Sequence, residues 1–225
     1  MKIGCHLFGL FLAMILFADD LCLLAPTRAA LDKLIQQSAA YCNEFGLTFN
    51  AKKSKILVFS KNKIDYDKLH PIYLNGDKIE YCESVRYLGT QVVADKGFSF
   101  SASSDLSSFY RASNSILRAV NKPSEEILLH LLYSNCIPTL TYACAVKEFT
   151  SKQMQECNTA VNDALRLIFG FNRWESVRTL RESFGYCSVT ELFAKAKKRV
   201  NDSLPHHRNK VVANLAINLA IELNE

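Results

Sequence analysis

Two apolar stretches, Leu10–Phe17 and Leu21–Ala25, are parted only by Ala18-Asp19-Asp20. No other feature limits the local fold as much. One helix through the interruption would bury both carboxylates in its apolar flank, at a large desolvation cost. Two strands meeting at a tight turn put the carboxylates at the tip, so a hairpin of two buried strands is predicted. The run Leu7–Ala18 behind Lys2 also imitates a signal peptide. It is too short, and too soon followed by acids, to span a membrane. Leu16 beside Ala18 also fits a cleavage site poorly. A small secreted or membrane-anchored helical protein is therefore the lesser alternative on that run alone.

Beyond the hairpin, Pro26-Thr27 opens a predicted helix in which Leu31, Leu34, Ile35, Cys42 and Phe45 recur at helical spacing, with Gly46 as its cap. Lys55–Phe59 and Arg86–Val93 read as strands. Ile72–Leu74 and Lys78–Tyr81 flank Asn75-Gly76, a hairpin turn. After about residue 100 the period becomes helical. Helices are predicted over Ser107–Val120, stopping at Asn121-Lys122-Pro123, and over Glu125–Asn135, before Pro138. Thr150 and Gln153 have capping-box spacing, ahead of a stripe of Met154, Cys157, Val161, Leu165 and Ile168 closed by Gly170. Ser188 and Glu191 repeat the device before a basic helix to about residue 203. The expected class is α+β: 1–93 rich in strands, 94–225 helical.

Composition is ordinary for a globular chain, with 49% hydrophobic and 22% charged residues, so disorder is not expected. The net charge of +5 permits a polyanionic partner without demanding one. Its distribution is uneven. Residues 173–210 hold nine Lys or Arg, including Arg173, Lys197, Lys198 and Arg199, against four acids. A solvated helix face explains such a run, and so does a phosphate-binding one. The eight cysteines show no CxxC and no metal-ligand spacing, and read as reduced, small hydrophobes.

Adjacent carboxylates between apolar strands repel each other, and a divalent cation relieves the repulsion. Mg²⁺ prefers such hard oxygens together with substrate phosphates. Taken alone, Asp19-Asp20 is better explained by an exposed turn or a helix cap.

The surroundings narrow this. Phe17-Ala18-Asp19-Asp20 resembles the [YF]-A-D-D signature of reverse transcriptases, with Gly4-Cys5-His6-Leu7-Phe8-Gly9 and Leu21-Cys22-Leu23-Leu24-Ala25-Pro26 similar to that family's flanks. Gly46-Leu47-Thr48-Phe49-Asn50-Ala51-Lys52-Lys53-Ser54-Lys55 resembles the next palm motif, G-L-x-x-N-x-x-K-[ST]-K. Arg86-Tyr87-Leu88-Gly89-Thr90 resembles the strand beside the primer grip. Pro138-Thr139-Leu140-Thr141-Tyr142 and Arg166-Leu167-Ile168-Phe169-Gly170 resemble the thumb and the segment after it. The four occur in the family's order, and the resemblance is to the non-LTR (LINE-type) retrotransposon group.

That resemblance implies a partial palm of β hairpins plus a helix over 1–93, then an all-helical thumb and post-thumb region over 94–225. It implies an RNA-directed DNA polymerase working with Mg²⁺ on an RNA template and DNA primer. Asp19 would be the metal ligand and Asp20 its neighbour. Lys53 would neutralise or protonate the leaving pyrophosphate, with Lys52 and Lys55 as weaker candidates. Leu88-Gly89 would help hold the primer end. The basic residues Arg173, Lys197, Lys198 and Arg199 would meet nucleic acid, and they alone could make a non-catalytic binding module. Only eighteen residues precede Asp19, so the fingers and the first palm strand, with the other catalytic aspartate, are expected to be missing. The chain is then expected to be inactive alone, to expose an apolar hairpin edge, and to need the missing portion in trans. An intracellular location, nuclear or cytoplasmic, with no membrane association, goes with this reading.

Overall fold

The computed structural model describes residues 3–7, 9–94, 97–118 and 123–222, with side chains to 218. Lys2 and Phe8, which figure in the motifs above, lie outside the described residues. So do the end of the helix expected to reach Val120 and its stop at Asn121-Lys122. The class is α+β, with short strands first and helices after. The residues fall into two compact units. One is drawn from Met1–Val85, Ala94–Gly97 and Asn201–Glu225, the other from Arg86–Val93 and Phe98–Val200.

The first unit begins with two hairpins. β1 (Cys5–Leu7) pairs antiparallel with β2 (Leu10–Leu12), and β3 (Met14–Phe17) with β4 (Asp20–Leu23). The expected strand Leu10–Phe17 is therefore divided at Ala13, whose carbonyl accepts from Leu24 N–H at 2.8 Å. Its burial is also overturned. Met14, Ile15, Leu16 and Phe17 are all exposed, since no third strand covers this ribbon among the described residues.

α1 (Arg28–Glu44) starts where Thr27 Oγ1 accepts from Ala30 N–H at 3.2 Å, the N-cap the sequence signals. It ends as Gly46, in the left-handed region at φ +70°, lets Leu47 N–H reach Cys42 O at 3.0 Å. Leu34, Ile35 and Ala39 are buried, whereas Phe45, expected on the apolar stripe, is exposed. β5 (Lys55–Leu57) follows, then β6 (Tyr73–Leu74) and β7 (Asp77–Lys78), joined by Asn75-Gly76 with positive φ at both residues. The hairpin predicted there forms, with a type I′ turn, but the strand expected over Lys78–Tyr81 is divided between β7 and the next strand. β8 (Glu80–Cys82) runs parallel to β5, aligning Lys55 with Glu80. The core here gathers Ile35, Ala39, Ile56, Ile72, Leu74 and Ile79.

The expected strand Arg86–Val93 is two strands, β9 (Ser84–Tyr87) and β10 (Thr90–Ala94), folded at Leu88-Gly89. β11 (Phe98–Phe100) completes a sheet in the order β11-β10-β9. Then come α2 (Ser103–Leu117) and α3 (Glu125–Leu131). α3 does not stop before Pro138. It passes through a π-helical turn, Leu132–Cys136, into α4 (Ile137–Thr141). Ile137 N–H bonds Leu132 O there, and Pro138, having no N–H, falls at the start of α4, where its lost donor costs least.

α5 (Ser151–Phe169) carries the reciprocal capping box of Thr150 and Gln153 and closes at Gly170, φ +69°. α6 (Arg178–Ser183) is short. α7 (Val189–Ser203) opens on the Ser188–Glu191 box, with Glu191 N–H to Ser188 Oγ at 3.2 Å and Ser188 N–H to the Glu191 carboxylate at 2.7 Å. α8 (Lys210–Glu222) ends the described chain. The helical unit's core is built on Phe109, Leu132, Leu140, Cys157 and Leu165, each 0% exposed. No helix among the described residues is long and apolar enough to cross a membrane. Of the run that imitates a signal peptide, Leu7, Leu10–Leu12 and Met14–Phe17 lie in strands.

Candidate polymerase-like site

The Ala18-Asp19 turn between β3 and β4 is tight, with Phe17 paired to Asp20 and Ala18 in the left-handed region at φ +51°. Positive φ at the first central residue matches the strands' twist, although Ala bears a strain there that Gly would not. The turn puts Asp19 at the tip and Asp20 at the first position of β4, both exposed. Among the described residues neither carboxylate has a hydrogen-bond or ion-pair partner. Water therefore moderates their repulsion, and the desolvation argument made from buried strands does not apply. The pair fits a hard cation in kind, offering carboxylate oxygens open to water and phosphate. It fits only partly in number: no group of three His, Cys, Asp or Glu side chains comes together among the described residues.

Lys53 stands in a one-turn knuckle after α1. Asn50 Oδ1 accepts from Lys53 N–H at 3.1 Å, and Asn50 O accepts from both Ser54 N–H and Ser54 Oγ–H. Ala51, 6% exposed, plugs the knuckle into the core, which leaves Lys52 and Lys53 in solvent. The motif's Asn, Ala and Ser are thus the scaffold, and its lysines are what the scaffold presents. Lys55 is tied to Glu80 across the parallel β5–β8 pair, and that hydrogen bond holds the Glu80 carboxyl below its usual range. No described hydrogen bond or ion pair links Lys53 to Asp19 or Asp20.

In the other unit, Leu88 and Gly89 have φ +45° and +79°, a type I′ turn. Tyr142, just past α4, donates its hydroxyl to Leu88 O at 2.9 Å. A Cβ on Gly89 would lie 2.9 Å from the Tyr142 ring. Glycine is therefore required twice at this position, for its backbone angle and for the close approach. Tyr142 is held in turn. The Lys147 ammonium sits 5.7 Å from its ring centroid and pairs with Asp105 at 2.7 Å, the two side chains 1% and 7% exposed. A buried ion pair of that kind is costly to break. Sequence reasoning missed it, because Asp105 and Lys147 share no spacing. The Tyr142 contact was also missed, though Tyr142 closes one of the motifs quoted above.

The basic run is less uniform than its count suggests. Arg178 pairs with Glu182 and Lys197 with Glu148, while Arg173, Lys198 and Arg199 are exposed and unpaired among the described residues. No disulfide joins the eight cysteines. Cys136, Cys144 and Cys157 are buried, and the other five are half-buried.

Residues 7–92 match the family model for reverse transcriptase (RNA-dependent DNA polymerase). The matched stretch contains the acidic turn, the lysine knuckle and the Leu88-Gly89 turn. No curated protein matches it.

Proposed function

We propose that this chain is the palm end and thumb of a reverse transcriptase of the non-LTR (LINE-type) retrotransposon group, an RNA-directed DNA polymerase. The observation that carries the reading is that three separately built turns, at Asp19-Asp20, Lys53 and Leu88-Gly89, fall in the family's order inside residues 7–92. The division 1–93 as palm and 94–225 as thumb and post-thumb belongs to the same proposal.

Asp19, with Asp20 beside it, would hold Mg²⁺. Bound there with a further carboxylate, Mg²⁺ supplies charge stabilisation for the attacking and leaving oxygens. The remaining roles fall to the chain's own residues. Lys53, presented to solvent by its knuckle, neutralises or protonates the departing pyrophosphate. The Leu88-Gly89 turn bears on the primer strand, and Arg173, Lys198 and Arg199 contact phosphates, with Lys197 beside them. Template RNA and primer DNA are the partners.

Two carboxylates leave Mg²⁺ with too many waters, so these residues by themselves do not polymerise. A segment carrying fingers and the other catalytic aspartate completes the site, and the exposed apolar side chains of β3 suit burial against its strands. Primer extension on an RNA template with Mg²⁺, comparing the chain with Asp19→Ala/Asp20→Ala, tests this. Neither is expected to extend. Extension by the unmutated chain alone would overturn the incompleteness while upholding the catalytic turn. Equal extension by both would overturn the roles of Asp19 and Asp20.

A further inference from the structure

Trp174, the single tryptophan, is 83% exposed. Tryptophan is on average strongly buried, so an indole held in water calls for an explanation. A slack loop does not provide it. The loop after α5 is pinned at both ends. Phe171 N–H bonds Arg166 O at 2.9 Å, and Arg166 Nε bonds Glu175 O at 3.0 Å, while Arg166 is itself anchored to Asp163 at 2.7 Å. Within it Glu175 N–H bonds Asn172 O at 3.1 Å, and the Glu175 carboxylate takes Asn172 N–H in return. Val177, 2% exposed, fastens the far side to the core. The backbone on each side of the indole is fixed, and the ring is presented to solvent.

Its surroundings have one chemistry. Arg173 precedes it, exposed and unpaired among the described residues, and Arg178 lies beyond it on α6. The acids nearby are already engaged: Glu175 in closing the loop, Glu182 with Arg178, Asp163 with Arg166. An exposed indole next in sequence to an unpaired arginine, with the nearby carboxylates occupied, complements a polyanion that also has flat apolar faces. Single-stranded nucleic acid is that ligand, because stacking is indifferent to base identity and a phosphate meets the unpaired arginine. An acidic protein would satisfy the charge but leave the indole without a stacking partner.

We propose that the Phe171–Arg178 loop is a contact for single-stranded RNA or DNA, in which Trp174 stacks on a base and the unpaired Arg173 meets the adjoining phosphate. The inference rests on the nucleic-acid reading above and adds a site to it. Because Trp174 is the sole tryptophan, the emission of the full chain reports on this loop alone. Titration with an oligouridylate of about 12 nucleotides, within the site sizes such folds cover, should quench it saturably, and less as salt is raised. With a labelled strand followed by anisotropy, Trp174→Ala should weaken binding about tenfold, and Trp174→Phe much less. Both variants change an exposed side chain and should leave the thermal transition in place. Strand binding without quenching, or unchanged affinity in Trp174→Ala, would overturn this site and leave the wider reading intact. Equal quenching by polyglutamate would overturn it in favour of a general acidic-protein contact. No strand binding at all would overturn both readings.

Discussion

The helical cluster around Leu132, Leu140 and Leu165 and the acidic hairpin of β3 and β4 handle apolar side chains in opposite ways. In the cluster those leucines are 0% exposed, whereas Leu16 and Phe17 on β3 are 68% and 61% exposed. The hairpin is the richer in apolar residues, eight of ten over 14–23 against nine of nineteen over 151–169, so content alone does not create a core. The helices bring several faces to one place, while a two-stranded ribbon has nothing to lay its face against. Two-stranded hairpins are marginal in water unless a third strand or a helix backs them. Stability should therefore reside in the helices, and the acidic turn should sit on the weakest part of the chain.

The contrast is broken most severely from inside the helical unit. Lys147→Met leaves Asp105 buried and uncompensated, and should cost about 3–5 kcal/mol in urea unfolding. Adding Asp105→Leu should recover much of the loss. Next in size, Leu165→Ala should cost about 2–5 kcal/mol by opening a cavity. Leu16→Ala on the hairpin should stay within about 0.5 kcal/mol, and a loss comparable to Leu165→Ala would show that the hairpin is packed after all.

The two glycine turns sharpen the comparison at smaller amplitude. Gly89 and Gly76 both have positive φ, +79° and +87°, but only Gly89 has a neighbour, Tyr142, where a Cβ would go. Gly89→Ala should destabilise by about 1–3 kcal/mol, and more than Gly76→Ala. Equal losses would mean that Tyr142 moves aside freely.

The mildest perturbation is pH. Burial pushes the Cys157 thiol up to about 11 and the Tyr133 hydroxyl up to about 12, each above its ordinary value. The unfolded chain releases those protons first as pH rises, so it binds fewer than the folded chain. Stability is therefore full below about pH 9 and should fall between pH 9 and 12 in thermal scans of the helical unit. Constant stability across that window would contradict the burial of both groups.

What was legible in the sequence divides along the same line. Local devices could be read directly: the Thr150–Gln153 and Ser188–Glu191 boxes, the Asn75-Gly76 turn, and the α5 stripe of Cys157, Val161, Leu165 and Ile168 all form as expected. Each is decided by residues within a few positions. The Leu88-Gly89 turn was read within a continuous strand although Gly89 is itself a local turn signal; the contact that backs it, from Tyr142, comes from 54 residues away. Pro138 was read as a helix stop because a π-turn that absorbs its missing donor has no local signature. The burial of β3 was misjudged because apolar sequence shows what could be covered and does not show whether a partner is present. At the candidate site the residues were legible from motif order. The scaffolding that presents them, Ala51 in the knuckle and Asp105–Lys147 behind Tyr142, was not.

If the Asp19-Asp20 turn is a metal-binding end, as proposed, it should differ from a solvated corner in its response to a divalent cation. Paramagnetic broadening of backbone amide resonances by Mn²⁺, standing in for Mg²⁺, tests it most directly. The adjacent exposed pair Glu125-Glu126 at the start of α3 serves as an internal control. Broadening should centre on Phe17–Leu21 at lower Mn²⁺ than at Glu125-Glu126, weak in absolute terms and abolished by Asp19→Asn/Asp20→Asn. Broadening that is no greater at Asp19-Asp20 than at the glutamate pair would contradict the proposal.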